Sequence, residues 1–186
     1  HFGSLITSER AYKTPGAPKT VVMRPKEGDP VITAEKQKQY RSGIGMLLYL
    51  VKHSRPDINN AVRELSKVAD GATEAHWKAL LRTIKYVLDT ENYCLILNPK
   101  KVEDGFYLEG LCDSEYAGDR ETRISVYRYI IYFCGAPIAW KSKSGKSVTL
   151  SSTEAEYFAW SEIAKEIISA KQLLESMGIK VTHPII

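Results

Sequence analysis

Along residues 34–89, apolar side chains return every three or four positions, the period of helices that each bury one face. Tyr40, Ile44, Leu47, Leu48 and Val51 make the first stripe. Gly43 and Gly45 lower the helix propensity there but leave room for a neighbour to approach closely. Pro56 disfavours helical geometry at Arg55, so this helix stops near Ser54. The same proline suits the first turn of a second helix, with Ile58, Ala61, Val62 and Leu65 facing inward. Asp70-Gly71 ends that helix. Thr73 can cap a third, whose stripe is Trp77, Leu80, Leu81, Ile84, Val87 and Leu88. Three short helices predict a small helical unit.

After Asp89 the period changes. Residues 93–97, 107–112, 125–134, 136–141 and 147–151 are short runs rich in β-branched or aromatic residues, separated by glycine or charged turns. They predict successive antiparallel strands, with turns at Gly135-Ala136-Pro137 and Ser144-Gly145-Lys146. A long helix follows over 153–177, with Ala155, Ala159, Ile163, Ile167, Ala170 and Leu174 on one face, Ser152 as its candidate cap and Gly178 as its stop. Residues 179–186 read as the start of a further strand. At the other end, Pro15, Gly16, Pro18, Pro25, Gly28 and Pro30 recur among charged residues, so residues 1–33 read as a connector. Two forms suit it: an extended segment lying across a larger body, or a tail without fixed structure.

Composition narrows the class. The chain has 186 residues, 44% hydrophobic and 26% charged, which is the balance of a globular protein rather than a disordered one. Its longest apolar run, 44–51, is far short of the ~20 residues that span a bilayer. Residue 1 is His and no basic stretch leads into an apolar one, which predicts a piece of a longer chain with no visible signal peptide. A net charge of +4 permits a polyanionic partner without requiring one. Cys94, Cys112 and Cys134 are odd in number and lie within apolar runs, so buried free thiols in a reducing compartment are expected. Without a Cys-x-x-Cys pair, and with His1, His53, His76 and His183 scattered, zinc is disfavoured.

Two acidic stretches stand out. In Leu111-Cys112-Asp113-Ser114-Glu115 an acid closes an apolar strand, and in Thr153-Glu154-Ala155-Glu156-Tyr157 acids occupy the first turn of the long helix. A strand carboxylate facing a helix carboxylate is a minimal seat for Mg²⁺, which prefers oxygen ligands. Two such ions ~4 Å apart can activate water and stabilise the leaving oxygen of a phosphodiester. The plainer alternative is that Asp113 terminates a strand and the helix acids favour the macrodipole.

Basic residues give a second candidate. Lys141, Lys143 and Lys146 crowd one hairpin and could contact backbone phosphates, with Trp140 and Tyr157 nearby. A solvated hairpin with Trp140 in the core accounts for them equally well. Gly145-Lys146-Ser147 is not a phosphate-binding loop, because the earlier glycine would fall at Trp140. Trp77, Phe158 and Trp160 are expected in the core.

Several longer motifs carry a resemblance. Tyr40-Arg41-Ser42-Gly43-Ile44-Gly45, Ser54-Arg55-Pro56-Asp57-Ile58 and Glu74-Ala75-His76-Trp77-Lys78 resemble the segment that follows the reverse transcriptase in copia-type retrotransposon Pol polyproteins. Asp113-Ser114-Glu115-Tyr116-Ala117-Gly118-Asp119, Ala139-Trp140-Lys141-Ser142-Lys143 and Leu150-Ser151-Ser152-Thr153-Glu154-Ala155-Glu156-Tyr157 resemble its ribonuclease H. The motifs keep the family's order and spacing over roughly residues 35–186 and are specific together.

The resemblance implies three antiparallel strands, a helix, and a parallel strand beside the first. It implies that Asp113 is the first-strand catalytic acid and Glu156, rather than Glu154, the helix acid. Both would hold Mg²⁺ while the RNA strand of an RNA–DNA hybrid is cut. The implied partners are that hybrid and an upstream reverse transcriptase, with no membrane. The implied location is intracellular: cytoplasmic in a retrotransposon particle, or nuclear.

Two departures qualify it. The family's next acid would lie just beyond Ile186, so the first strand is expected to keep an unpaired edge and the acid set to be incomplete. Arg128 also stands where the family usually has Gly after Ser125-x-x. The fold expected is α+β: an extended connector (1–33), a helical connection (34–100) and a truncated ribonuclease H-like domain (101–186). A non-catalytic remnant that binds nucleic acid or supports the polymerase is the rival reading.

Overall fold

The computed structural model describes residues 2–7, 9–17, 22–99 and 105–185, with the side chains of 183–185 outside the description. The chain forms two compact units, residues 1–94 and 95–186.

In the first unit, a 3₁₀ turn at Gly3–Leu5 precedes helix α1 (Ala34–His53). A second 3₁₀ turn at Pro56–Ile58 leads directly into α2 (Asn59–Ser66), and α3 (Glu74–Asp89) follows. The predicted stripes meet in one core that includes Tyr40, Ile44, Leu47, Ile58, Val62, Leu65, Trp77 and Leu80. Leu48 and Leu88 correct the prediction: both are exposed, because each sits about 100° round the helix from the residue that faces the core. The close approach expected at Gly43 is present. A Cβ there would lie 3.0 Å from Leu80 Cδ2 and 3.2 Å from Phe2 Cζ.

Three local devices hold this unit. The Tyr40 hydroxyl donates to Leu65 O at 2.9 Å, which satisfies a fully buried phenol. Thr73 N donates to His76 Nδ1 at 3.0 Å, so the residue three places on closes the start of α3. Arg55 is buried and forks onto both carboxylate oxygens of Asp57, at 2.9 and 2.8 Å, and onto Thr90 Oγ1 and O. Described residues among the first 33 lie against these helices. Phe2 is buried in the helical core, Thr83 Oγ1 donates to Pro15 O, and Arg82 stacks on Tyr12 at 4.1 Å.

The second unit is a mixed sheet with one helix. Strands β1 (Phe106–Glu115), β2 (Val126–Phe133) and β3 (Ala136–Ser144) form an antiparallel meander. Helix α4 (Ser152–Ser176) then crosses back to β4 (Val181–Ile185), which pairs parallel with β1. The strand order is β3-β2-β1-β4, an α+β arrangement of the ribonuclease H-like kind. The expected bare edge is therefore corrected in part. β4 pairs with Phe106–Glu109, and among the described residues the Gly110–Glu115 half of β1 has no partner on that side.

Helix α4 packs through Ala155, Ala159, Ile163 and Ile167 onto Leu108, Cys112, Tyr127 and Ile131. Gly110 makes this possible: a Cβ there would come within 2.5 Å of Ile167 Cδ1 and 2.7 Å of Ile163 Cδ1. Other expectations fail for identifiable reasons. Residues 93–97 and 147–151 form no strand. Tyr93 instead closes a turn onto Thr90 O and lies 5.9 Å from Arg55, while Thr149 buries its hydroxyl against Ser125 Oγ at 2.7 Å. Ser151, one residue before the expected cap, accepts from Glu154 N at 3.0 Å. The β2–β3 turn is Cys134-Gly135, also one residue early. Phe158 and Trp160 are exposed, since they fall off the four-residue stripe of α4, whereas Trp77 is core as expected. Of the cysteines, Cys134 is buried, Cys112 half-buried and Cys94 exposed, so burial of all three is corrected at Cys94.

Candidate nucleic-acid-processing site

Strand alternation decides where each acid of β1 points. Leu108, Gly110, Cys112 and Ser114 face α4, so Glu109, Leu111, Asp113 and Glu115 face the other side of the sheet. The register sets Asp113 directly opposite Arg128 of β2. Arg128 Nη1 donates to Asp113 Oδ2 at 3.2 Å, and its Nη2 donates to Glu115 Oε2. One guanidinium thus bridges two carboxylates of the same strand face.

The helix acid lies on the opposite face. Glu156 is half-buried and accepts from Ser114 Oγ at 2.8 Å. Its charge, together with that of Asp113, adds to burial in raising the Cys112 thiol above the ordinary thiol range. Glu154 serves the backbone: its carboxylate accepts from Leu150 N while its own N–H donates to Ser151, a closed cap at the start of α4. Ser114, rather than Asp113, is therefore the β1 residue bonded to the helix acid.

This arrangement does not fit a Mg²⁺ seat. Among the described residues no group of three or more His, Cys, Asp or Glu side chains is placed to hold a metal ion. Asp113 has a guanidinium where a cation would bind, and Glu156 has a neutral hydroxyl.

The basic hairpin is also partly occupied. Lys143 Nζ reaches Glu162 Oε2 at 2.5 Å, and Lys141 Nζ lies 3.5 Å from Glu166 Oε1, both on α4. Hydrogen bonds from Lys143 and then Lys165 bring the Glu162 carboxyl down to about 2. Lys146 is exposed in the turn after β3. Sequence reasoning missed four partners: Ser114, Glu115, Glu162 and Glu166. The signals were available, since Asp113 and Glu115 are two apart on a strand, and Glu162 and Glu166 are four apart on a helix. A separate cavity of about 620 Å³ in the helical unit, lined by Tyr12, Pro15, Asn60, Lys78 and Arg82, contains none of these candidates.

No family model and no solved structure matches the chain. Curated relatives do. It is 36% identical over 146 residues to the retrovirus-related Pol polyprotein from transposon RE2 of Arabidopsis thaliana, and 38% identical over 146 residues to that from transposon RE1. Each alignment covers 78% of this chain and 10% of the polyprotein. It is also 37% identical over 133 residues to secreted RxLR effector protein 161 of Plasmopara viticola, covering 72% of this chain and 92% of that protein. Over 78% of its length the chain is thus similar to Pol polyproteins of copia-type retrotransposons, and it spans about a tenth of the length of the two Pol relatives. No helix among the described residues is long and apolar enough to cross a membrane.

Proposed function

We propose that the sheet unit is the ribonuclease H-like module of a retrotransposon replication protein, placed after a reverse transcriptase and addressed to RNA–DNA hybrids. The support is architectural. Asp113 sits near the end of the first strand, and Glu156 sits in the first turns of the helix packed on that strand. Mg²⁺ bound to such acids would activate water and stabilise the leaving oxygen. In this chain the acids are held apart, and that chemistry has no ready seat.

The reading supported best for the chain itself is a non-cleaving module that engages hybrid or supports the polymerase. The observation that carries it is the placement of Asp113 with Arg128 on one face of β1, while Glu156 bonds Ser114 on the other. Engagement of hybrid would rest on Lys146, with Lys141 and Lys143 released from α4 only if phosphates compete with Glu166 and Glu162.

The test is a labelled RNA–DNA hybrid incubated with the 186-residue chain in Mg²⁺. No cleavage above the blank is expected, and Asp113→Asn should change nothing. Robust Mg²⁺-dependent cleavage lost in Asp113→Asn would restore the nuclease reading. Fluorescence anisotropy should show salt-sensitive hybrid binding that weakens in Lys146→Ala; binding indifferent to that change and to salt would remove the hairpin from the interface.

A further inference from the structure

The geometry points to a specific role for Arg128: we propose that its guanidinium is a built-in counter-ion that keeps divalent cations off the acid face of β1. Three observations converge on it. The antiparallel register sets Arg128 directly across from Asp113. Alternation brings Glu115 to the same face as Asp113, so the two carboxylates flank one position. Both guanidinium nitrogens of the fork are used, Nη1 on Asp113 and Nη2 on Glu115.

The guanidinium lies where a cation shared by these acids would have to lie. It is tethered by its own strand, so it competes as an intramolecular ligand at high local concentration. A divalent ion would have to displace it and then sit beside its positive charge. Lysine at this place would keep the charge, and glutamine would remove it while leaving a shorter polar side chain. Both substitutions lose the fork, and only glutamine loses the charge, so comparing them isolates the charge.

This inference deepens the non-cleaving reading and rests on it only for the choice of acid strand. Its test uses neither nucleic acid nor turnover, so it can fail independently. Mn²⁺ is titrated into the full chain, and paramagnetic broadening of the backbone amides of Asp113, Ser114 and Glu115 is followed by NMR. In the unaltered chain, broadening is expected only at Mn²⁺ concentrations roughly tenfold above those that broaden Arg128→Gln, a gap set by one unit charge at contact distance from a divalent ion. Arg128→Lys should behave like the unaltered chain. The gain in Arg128→Gln should vanish when Asp113→Asn is added.

Equal broadening in the unaltered chain and Arg128→Gln would overturn the proposal. So would no broadening in either at any concentration, since the arginine would then be excluding nothing. A gain that survives Asp113→Asn would place the cation elsewhere and overturn it equally. Should Arg128→Gln disturb the amide spectrum beyond its neighbours, Arg128→Ser supplies the same comparison with a side chain that matches Ser142, its partner on β3.

Discussion

Each unit of the chain carries an arginine that forks onto acceptors, and the two differ in everything but chemistry. Arg55 in the helical unit is buried, bonds both oxygens of Asp57 and two atoms of Thr90, and lies over the rings of Tyr86 and Tyr93. Arg128 in the sheet unit is partly exposed and bridges Asp113 and Glu115, whose side chains are exposed by 66% and 51%. The first ties the α1–α2 turn to the end of α3, and its loss would leave polar atoms in the interior unpaired. The second lies at a water-facing surface, where an ion pair contributes at most about 1 kcal/mol to stability. An arginine with so little effect on the fold still decides what the acid face can bind. Burial makes the one structural, and exposure leaves the other free to be functional.

The sheet unit is most vulnerable at the close contact between β1 and α4. Gly110→Val should destabilise by about 3 kcal/mol or more, because its side chain would enter space held by Ile163 and Ile167. Residue-resolved hydrogen exchange should show lost protection in β1 and α4. Protection there equal to that of the unaltered chain would mean the helix does not lie on Gly110.

Arg55→Ala sharpens the contrast between the arginines. It should cost about 2–3 kcal/mol in urea denaturation, somewhat under a fully buried pair because Asp57 keeps contact with water. Arg128→Gln in the same assay should cost less than about 1 kcal/mol. Similar losses for both would erase the distinction.

Ser151→Ala removes the cap acceptor of α4 and should cost about 1 kcal/mol, with Ser152→Ala near neutral. The reverse order would move the helix start to the residue expected from sequence. The smallest effect concerns pH. The Glu162 carboxyl is held low, at about 2, by Lys143 and Lys165. Its folded-state value lies below its unfolded one, so its contribution is present above the ordinary glutamate range and is lost as pH falls from there towards about 2. Glu162→Gln should make stability slightly less sensitive to acid in that window, with a change under about 1 kcal/mol at neutral pH. An unchanged acid limb would mean the Lys143 contact is not populated.

The elements that depend on period and punctuation can be read from the order of residues alone. The helices over 34–89, the meander, the long helix and its stop at Gly178 were legible because one face of each is apolar and proline or glycine marks the ends. The candidate acids were legible too, since a carboxylate closing an apolar strand is conspicuous. Which acids share a face is set by the packed fold. Asp113 and Glu156 lie 43 positions apart in the chain, and their relation depends on strand alternation, the β1–β2 register and the side of β1 that α4 covers. Packing likewise turns Lys141 and Lys143 to α4, keeps 93–97 and 147–151 out of the sheet, and sets Arg128 against Asp113. The difference is one of range. Periodicity and capping are set within a few residues, whereas partner choice between charges depends on which strands and helices the fold brings together.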